Sequence, residues 1–212
     1  MGFEMTKRVF GVSSLIVLAL LATGCSASGS DDTDSGKIAS SMSVLFEEAL
    51  AGEVNDFERA VLERGVEDGR IGQSDYAEAT TMYATCMSGA GYALERTDHL
   101  NGLIEFQPPA LTASQEVDDL MAMDYECMST TGGNVIRLYE LQQGNPSLLR
   151  DTATVAAECL AASGVVPPDF DKEDYRQAFS SDGKLSELSF DVTDPRVGSC
   201  LYGIGVTVGI DE

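Results

Sequence analysis

Four cysteines at repeating distances constrain the fold of this 212-residue chain more than any other feature. Cys86, Cys127, Cys159 and Cys200 are separated by 41, 32 and 41 residues, so the first and third, like the second and fourth, lie 73 residues apart. A common offset of this kind is what the duplication of one structural unit leaves in a sequence. The spacing therefore predicts two tandem, related lobes.

The sequence at each cysteine follows one pattern, C-[ML]-x-x-x-G, in "CMSGAG", "CMSTTG", "CLAASG" and "CLYGIG". This pattern is typical of a helix that ends at a left-handed glycine, with the residue after the glycine packed on the Met or Leu. Tyr92, Val165 and Val206 can make that contact, whereas Gly133 stands at this position in the second copy. We therefore expect each cysteine in the last turn of a helix, facing the core, with a loose end or a helix break after Cys127.

The N-terminus predicts export. Two basic residues precede an apolar run at 9–22, which is too short for a comfortable membrane span and ends in "LLATGC". This ending resembles a bacterial lipobox, whose cysteine becomes the first mature residue and carries a diacylglycerol on its thiol. We predict a signal peptide at residues 1–24 and lipidation of Cys25, which would anchor the protein to the extracytoplasmic face of the cell membrane. The alternative is an ordinary secreted protein that is cleaved nearby, with Cys25 as a free thiol.

The charge of the chain excludes one class of partner. Removal of residues 1–24 takes away Lys7, Arg8 and Glu4, which leaves 11 basic and 34 acidic residues and a net charge of −23. Such a charge repels nucleic acid and anionic lipid, so membrane attachment must come from the covalent lipid. The stretch "SASGSDDTDSG" is acidic, contains no apolar residue larger than alanine, and predicts a flexible tether at residues 25–40.

Disulfides are the favoured role for the other four cysteines, because an even set in an exported chain is the setting in which disulfides persist. Zinc sites and thioredoxin-like redox centres typically use C-x-x-C pairs, and the chain contains no such pair. Three connectivities are possible. We prefer Cys86 with Cys127 and Cys159 with Cys200, because this pairing gives each lobe its own bridge over an equal loop.

Hydrophobic periodicity predicts a mainly helical α+β fold, in which each lobe has a helix hairpin, a short β-hairpin and a helix. The first lobe comprises residues 41–143. Its predicted landmarks are an N-cap at Asn55, a turn at Asp68 and Gly69, a helix start at Ser74, a hairpin turn at Asn101 and Gly102 with Ile104 and Phe106 on its apolar face, and a helix from about Thr112 that continues in register to Gly144.

The second lobe, residues 144–212, is expected to repeat this order in shorter form. Its predicted elements are a helix from Leu148 to Ser163, a short helix in "KEDYRQAF", a strand in "ELSFDV", a last helix opened by Asp194 and Pro195, and strand composition in the tail "GVTVGIDE".

Three stretches together resemble small cysteine-containing lipoproteins of actinobacteria. They are the "LLATGC" signal, "DGRIGQSDYAEA" before Cys86, and "YELQQGNP" after the second cysteine. The resemblance covers most of the mature chain. It implies the extracytoplasmic address and the pairing of the cysteines, and it implies no catalytic residue, because these motifs are structural.

The sequence offers little for catalysis or metal binding, and we predict no enzyme activity and no catalytic, cofactor-binding or metal-binding residue. His99 is the only histidine, and its loop context predicts an exposed side chain. A calcium-loop register on "VEDGRIGQSD" would place Arg64 and Val66 at ligand positions, so we interpret this stretch as a helix turn. No nucleophile-elbow or P-loop string occurs. The many acids leave a carboxylate pair for glycoside cleavage open.

The function that these observations favour is a non-catalytic interaction or accessory module of an envelope complex, with an envelope protein as its partner. One alternative is a small-ligand-binding protein that uses a cleft between the lobes, which an aromatic-lined pocket would favour. A further alternative is a carboxylate-dependent cell-wall hydrolase, which two converging buried acids would favour.

Overall fold

A computed structural model describes residues 36–111, 113–179 and 190–207 of the chain. The predicted signal peptide at 1–24, the predicted lipid-bearing Cys25 and most of the predicted tether lie outside these residues. So do the first three residues of the strand expected in "ELSFDV" and residues 208–212 of the tail, for which strand composition was predicted. Among the residues that the structure describes, no helix is both long enough and apolar enough to cross a membrane.

Helices dominate the described part of the chain, as expected for a mainly helical α+β fold. Its eight helices and two strands are, in chain order, α1 (Met42–Leu50), α2 (Asp56–Asp68), α3 (Gln73–Gly89), β1 (Glu95–Asp98), β2 (Ile104–Gln107), α4 (Ser114–Thr130), α5 (Gly133–Gly144), α6 (Thr152–Ala162), α7 (Lys172–Ala178) and α8 (Pro195–Tyr202). The two strands form one antiparallel sheet.

The predicted helix boundaries at the start of the fold are confirmed to within one residue. Asn55 caps α2 through a capping box, in which its side chain accepts from the Glu58 N–H at 2.9 Å and the Glu58 carboxylate accepts from the Asn55 N–H at 3.2 Å. The helix ends at Gly69, whose φ of 72° is the left-handed conformation that favours glycine. The next helix, α3, begins at Gln73, one residue before the predicted Ser74.

The predicted β-hairpin is also present. Arg96 pairs with Phe106 and Thr97 pairs with Glu105, and the turn between the strands contains Gly102 with a φ of 81°. All four residues of β1 are exposed, whereas β2 begins with buried residues. The hairpin therefore lies on the fold through β2.

Three of the four cysteine-bearing helices end as the sequence pattern predicts. Gly91, Gly164 and Gly205 have left-handed φ values of 98°, 73° and 77°. The N–H of the residue after each glycine donates to the carbonyl of the Met or Leu that follows the cysteine, over 2.9, 3.3 and 2.9 Å respectively. These are the 6→1 bonds of a Schellman motif, which satisfy carbonyl groups at the helix end.

The second copy of the pattern is a helix break, which is one of the two outcomes that its paired glycines allowed. Helix α4 ends at Thr130 and α5 begins at Gly133. Gly132 is not left-handed, with a φ of −142°. A Cβ atom at this position would lie 2.7 Å from the Cβ of Ala79, so the glycine is needed for close packing against α3.

Two predicted boundaries in the C-terminal part are wrong. Helix α6 begins at Thr152 after the N-cap Asp151, because Leu148, the predicted start, has a left-handed φ of 54° that is incompatible with a right-handed helix. Residues 190–192 form a bend and a turn instead of the end of a strand. Within the described residues after 143, no strand pairs with another to form a β-hairpin.

The end of the predicted tether is attached to the fold. The Ile38 N–H donates to the Leu148 carbonyl at 2.7 Å, and the Arg150 N–H donates to the Gly36 carbonyl at 2.8 Å. The tether was expected to extend to residue 40. The described chain is instead held by backbone hydrogen bonds from Gly36 onward.

Buried side chains form two hydrophobic clusters. The N-terminal cluster extends from Phe46 to Tyr139 and includes Cys127. The C-terminal cluster is smaller, and its buried members are Leu160, Val166, Val197, Cys200 and Leu201. Both belong to one compact unit, residues 34–212.

Candidate functional site

The two disulfides have the pairing that we preferred from the spacing. Cys86–Cys127 joins the ends of α3 and α4, and Cys159–Cys200 joins α6 to α8. In each bridge the first cysteine is half-buried and the second is buried. The four cysteines thus connect helices within each cluster, as staples, instead of forming a metal or dithiol site.

The most apolar exposed surface is one face of α4. Val117, Met121 and Tyr125 lie four residues apart and are 41%, 65% and 77% exposed, respectively. Residues at this spacing lie one above the other on a helix. They account for three of the five large hydrophobic side chains that are exposed in the described chain, the others being Ile38 and Leu100. We call Val117, Met121 and Tyr125 the α4 face.

A surface groove of about 680 Å³ adjoins the α4 face. Its lining includes Met121 and Tyr125, and it extends over Met128 and Ser129 to the start of α5. Arg137 is the one basic residue among the lining residues that the structure describes. We call this feature the α4 groove. The α4 groove was not predicted from the sequence, although the apolar residues at 117, 121 and 125 have a helical spacing that could have indicated it.

The side chain of His99 is buried, so the prediction of an exposed loop residue is wrong. It is only 8% exposed, and its Nε2 lies 2.9 Å from the Glu105 carboxylate. The imidazole ring stacks on the ring of Tyr202, with 4.6 Å between the ring centroids. The cause of burial is α8, which packs on the hairpin from a point about a hundred residues later in the chain.

Burial of Glu105 has the same cause. The alternating pattern placed Ile104 and Phe106 inward and Glu105 outward, yet Glu105 is buried and Phe106 is only half-buried. The Glu105 carboxylate is bonded by His99 on one oxygen and by the Gln107 side-chain amide, at 3.0 Å, on the other. Both faces of β2 are covered here, so the usual alternation of a half-exposed strand fails.

A half-buried carboxylate, Glu140, lies in a network of tyrosines. The hydroxyls of Tyr76 and Tyr202 contact its Oε1 at 3.4 and 3.2 Å, and both also contact the Ile104 carbonyl, at 3.3 and 3.0 Å. We call Tyr76, Tyr202, Glu140 and Ile104 the tyrosine network. Burial, reinforced by the nearby Glu140 charge, raises the pKa of Tyr76 and Tyr202, so both remain hydroxyl donors. The network thereby connects α3, α5, β2 and α8.

Glu140 provides a test of this network through pH. Burial raises its pKa, and the hydrogen bonds from Tyr202 and Tyr76 oppose the shift without cancelling it. Because the folded-state pKa lies above the unfolded one, the free energy of unfolding should fall as pH rises from the ordinary glutamate range through the raised pKa. Glu140→Gln keeps an oxygen acceptor and cannot ionise, so we expect its stability relative to the wild type to increase over this interval and then level off.

The measurement is urea unfolding of both proteins between about pH 4 and pH 8. Glu78→Gln serves as the control, because this glutamate lies on the exposed side of α3. A Glu140→Gln protein whose relative stability does not change with pH would contradict the burial of an ionised Glu140.

A cleft of about 270 Å³ lies between the hairpin and α8. Its hairpin wall includes Asp98, His99 and Glu105, and its other wall includes Gly198 and Tyr202 of α8. We call it the hairpin–α8 cleft. No residue of this cleft was singled out from the sequence as a binding residue. The one signal was His99, the only histidine of the chain.

Comparison of the chain with protein-family models, with curated proteins and with solved structures gave no match.

Proposed function

We propose that this protein is a lipid-anchored extracytoplasmic lipoprotein that acts as a non-catalytic interaction module of an envelope complex, and that it binds its protein partner through the α4 face and the α4 groove. The observation that carries the proposal is the row of exposed apolar side chains at Val117, Met121 and Tyr125. Its position next to a groove provides a surface that can bury side chains of a partner.

The composition of the α4 face favours protein binding over an accidental surface feature. Exposed apolar residues that occur singly are common, whereas contiguous apolar patches with a polar rim mark interaction sites. Tyrosine and methionine are enriched in protein interfaces, and tyrosine is frequent among the residues that contribute most binding energy. Tyr125 is the most exposed large hydrophobic residue of the described chain, at 77%.

The charge around the α4 face indicates the chemistry of the partner. Helix α4 contains no basic residue. Its acidic residues are Glu116, Asp118, Asp119, Asp124 and Glu126. Arg137, at the α5 end of the α4 groove, is the one basic exception among the described lining residues. An apolar row bordered mainly by acidic side chains selects a partner with complementary charge. The expected partner segment therefore presents apolar side chains flanked by lysine or arginine.

The proposed location of the protein at the membrane is supported by the sequence alone. The "LLATGC" ending supports a signal peptide at 1–24 and lipid on Cys25. The acidic residues that follow support a tether that keeps the folded part away from the anionic membrane surface. An anchor of this kind raises the effective concentration of the protein for a partner in the same membrane.

We also propose that the two disulfide-bearing halves, 41–143 and 144–212, are related by duplication. The 73-residue offset of the cysteines supports this relation, as does the half-buried and buried order that both bridges share. Helices α3 and α4 would correspond to α6 and α8. By the 73-residue offset, Val117, Met121 and Tyr125 correspond to Phe190, Asp194 and Gly198. The apolar row is therefore not repeated as a whole, and partner binding would belong to the first half only.

Site-specific cross-linking in living cells tests the partner surface. A photoreactive residue at Ser129, which lines the α4 groove, should capture one membrane or envelope protein through a segment with apolar residues flanked by lysine or arginine. The matched control is Ser88, which holds the same position after Cys86 that Ser129 holds after Cys127 and is also exposed. The double variant Met121→Ser and Tyr125→Ser should lower the Ser129 cross-link by about tenfold or more without a change in thermal stability.

Equal capture from Ser88 and Ser129, or a cross-link that survives the double variant, would overturn the docking role of α4. Cys25→Ala separates this result from the membrane address. The variant should leave the membrane fraction and lose most of the capture, whereas continued detergent dependence would contradict a lipid anchor at Cys25.

A further inference from the structure

We infer that the hairpin–α8 cleft binds a small organic cation, a primary amine with a short apolar chain. The volume of about 270 Å³ is at the lower limit of small-molecule sites. A ligand of this size would contact both walls at once. The site is therefore separate in place and in chemistry from the α4 groove.

The lining of the cleft combines carboxylates with an apolar floor. Pro195, Leu201 and Val206 provide apolar surface, while Asp98, Glu105 and Asp194 provide carboxylates. Among the described lining residues there is no lysine or arginine. A site of this composition accepts an alkyl chain on one side and repels anions.

Glu105 is the carboxylate that lacks a permanent positive partner. Asp98 is exposed and Asp194 is half-buried, and each is paired with an arginine at 2.6 Å, Arg96 and Arg196 respectively. Glu105 is buried, and its described partners are the His99 ring and the Gln107 amide. Neither partner is a lysine or an arginine, so a bound ammonium group would place a full positive charge beside a buried carboxylate, where such a charge is favourable.

His99 presents the atom that a ligand would contact. A carboxylate oxygen can only accept, so Nε2 donates to Glu105 and Nδ1 is the ring nitrogen left for a ligand. No described residue donates a hydrogen bond to Nδ1. The side chain is held by its stacking on Tyr202 and by Glu105, and only 8% of it is exposed. An ammonium group in the cleft would donate a hydrogen bond to Nδ1. It would also lie close enough to the Glu105 carboxylate for electrostatic attraction.

Gly198 keeps the space beside this nitrogen open. A Cβ atom added there would lie 3.8 Å from Cε1 and 3.9 Å from Nδ1 of His99, which is ordinary van der Waals contact. Alanine would therefore fit without strain in α8 and would occupy the approach to Nδ1. Gly198→Ala is thus a variant that should close the site and preserve the fold.

The experiment is a titration of the purified full chain with n-butylamine, followed by the amide chemical shifts of the hairpin and α8. Butan-1-ol and butyrate serve as neutral and anionic probes of the same length. We expect saturable shifts with the amine, about tenfold weaker binding of the alcohol, and no binding of butyrate, since a tenfold ratio corresponds to the loss of one charge-assisted contact.

Two variants distinguish the specific site from a general attraction of cations to an acidic protein. Gly198→Ala should weaken amine binding by about tenfold, whereas Gly89→Ala, with no atom near its added methyl group, should not change it. Glu105→Gln should bring the affinities of amine and alcohol close together. Equal binding of amine and alcohol by the wild type, or amine binding that is insensitive to both Gly198→Ala and Glu105→Gln, would overturn the assignment.

Discussion

Replacement of Cys159 and Cys200 by serine should lower the free energy of unfolding by about 4 kcal/mol, which is the chain-entropy value for a loop of this length. The loop that the bridge closes spans 41 residues. The loss should be concentrated in α6 and α8, because the C-terminal cluster has few other buried side chains to hold these helices together. A loss of this size is a large fraction of the stability of an ordinary domain.

The matched variant replaces Cys86 and Cys127, whose bridge also closes 41 residues. The entropic contribution of the two bridges should therefore be equal. The N-terminal cluster is larger, with Phe46, Leu62, Tyr76 and Met87 fully buried. Removal of the Cys86–Cys127 bridge should therefore cause less local unfolding. The comparison separates the effect of loop closure from the effect of core size.

Urea unfolding combined with amide hydrogen exchange measures both effects. Exchange in α8 should become fast in the Cys159 and Cys200 variant while exchange in α3 remains slow. If the two double variants lost equal stability and showed the same pattern of exchange, core size would not be the deciding difference. Retention of full stability in either variant would contradict the role of that disulfide as a staple.

Local sequence patterns predicted the parts of the fold that local chemistry decides. The helix ends at Gly91, Gly164 and Gly205 could be predicted because a Schellman motif requires a glycine and an apolar residue at fixed positions within one turn. The Asn101 and Gly102 turn and the Asn55 cap were predictable for the same reason. The disulfide pairing could be preferred among three possible connectivities, because the cysteine spacing repeats along the chain.

Contacts between distant segments could not be predicted in this way. The sequence pattern predicts exposed side chains at His99 and Glu105, because nothing near them in sequence indicates that α8 covers the hairpin. Gly132 was interpreted through its φ angle, whereas its actual requirement is close approach to Ala79. The helical spacing of the α4 face could be recognised in the sequence. Its exposure could not, because exposure depends on which side of α4 the neighbouring helices cover.

Gly144 is a further case in which a long-range contact decides the role of a residue. The sequence indicated only a boundary between two lobes at this position. In the structure Gly144 ends α5 and lies against Gly203, which follows α8. A Cβ atom at Gly144 would lie 1.7 Å from the carbonyl oxygen of Gly203 and 2.4 Å from its carbonyl carbon. These atoms belong to the backbone, so no side-chain rotation can relieve the overlap.

We therefore expect Gly144→Ala to destabilise the protein by about 3 kcal/mol or more, the upper part of the range for overpacked sites. The backbone of α8 would have to move away from α5, which would lengthen the hydrogen bonds from the Tyr202 hydroxyl to Ile104 and Glu140. Tyr202 also forms part of the hairpin–α8 cleft. The same variant should thus weaken amine binding in the cleft without any change to His99 or Glu105.

Gly89→Ala is the matched control, because Gly89 also lies at the C-terminal end of a helix and an added Cβ would meet no atom within 4 Å. It should be neutral or stabilise the protein by up to about 1 kcal/mol, since alanine favours a helix more than glycine does. Thermal and urea unfolding of the two variants give the comparison. If Gly144→Ala were as stable as Gly89→Ala, the close approach of the Gly144 and Gly203 backbones would not exist in solution.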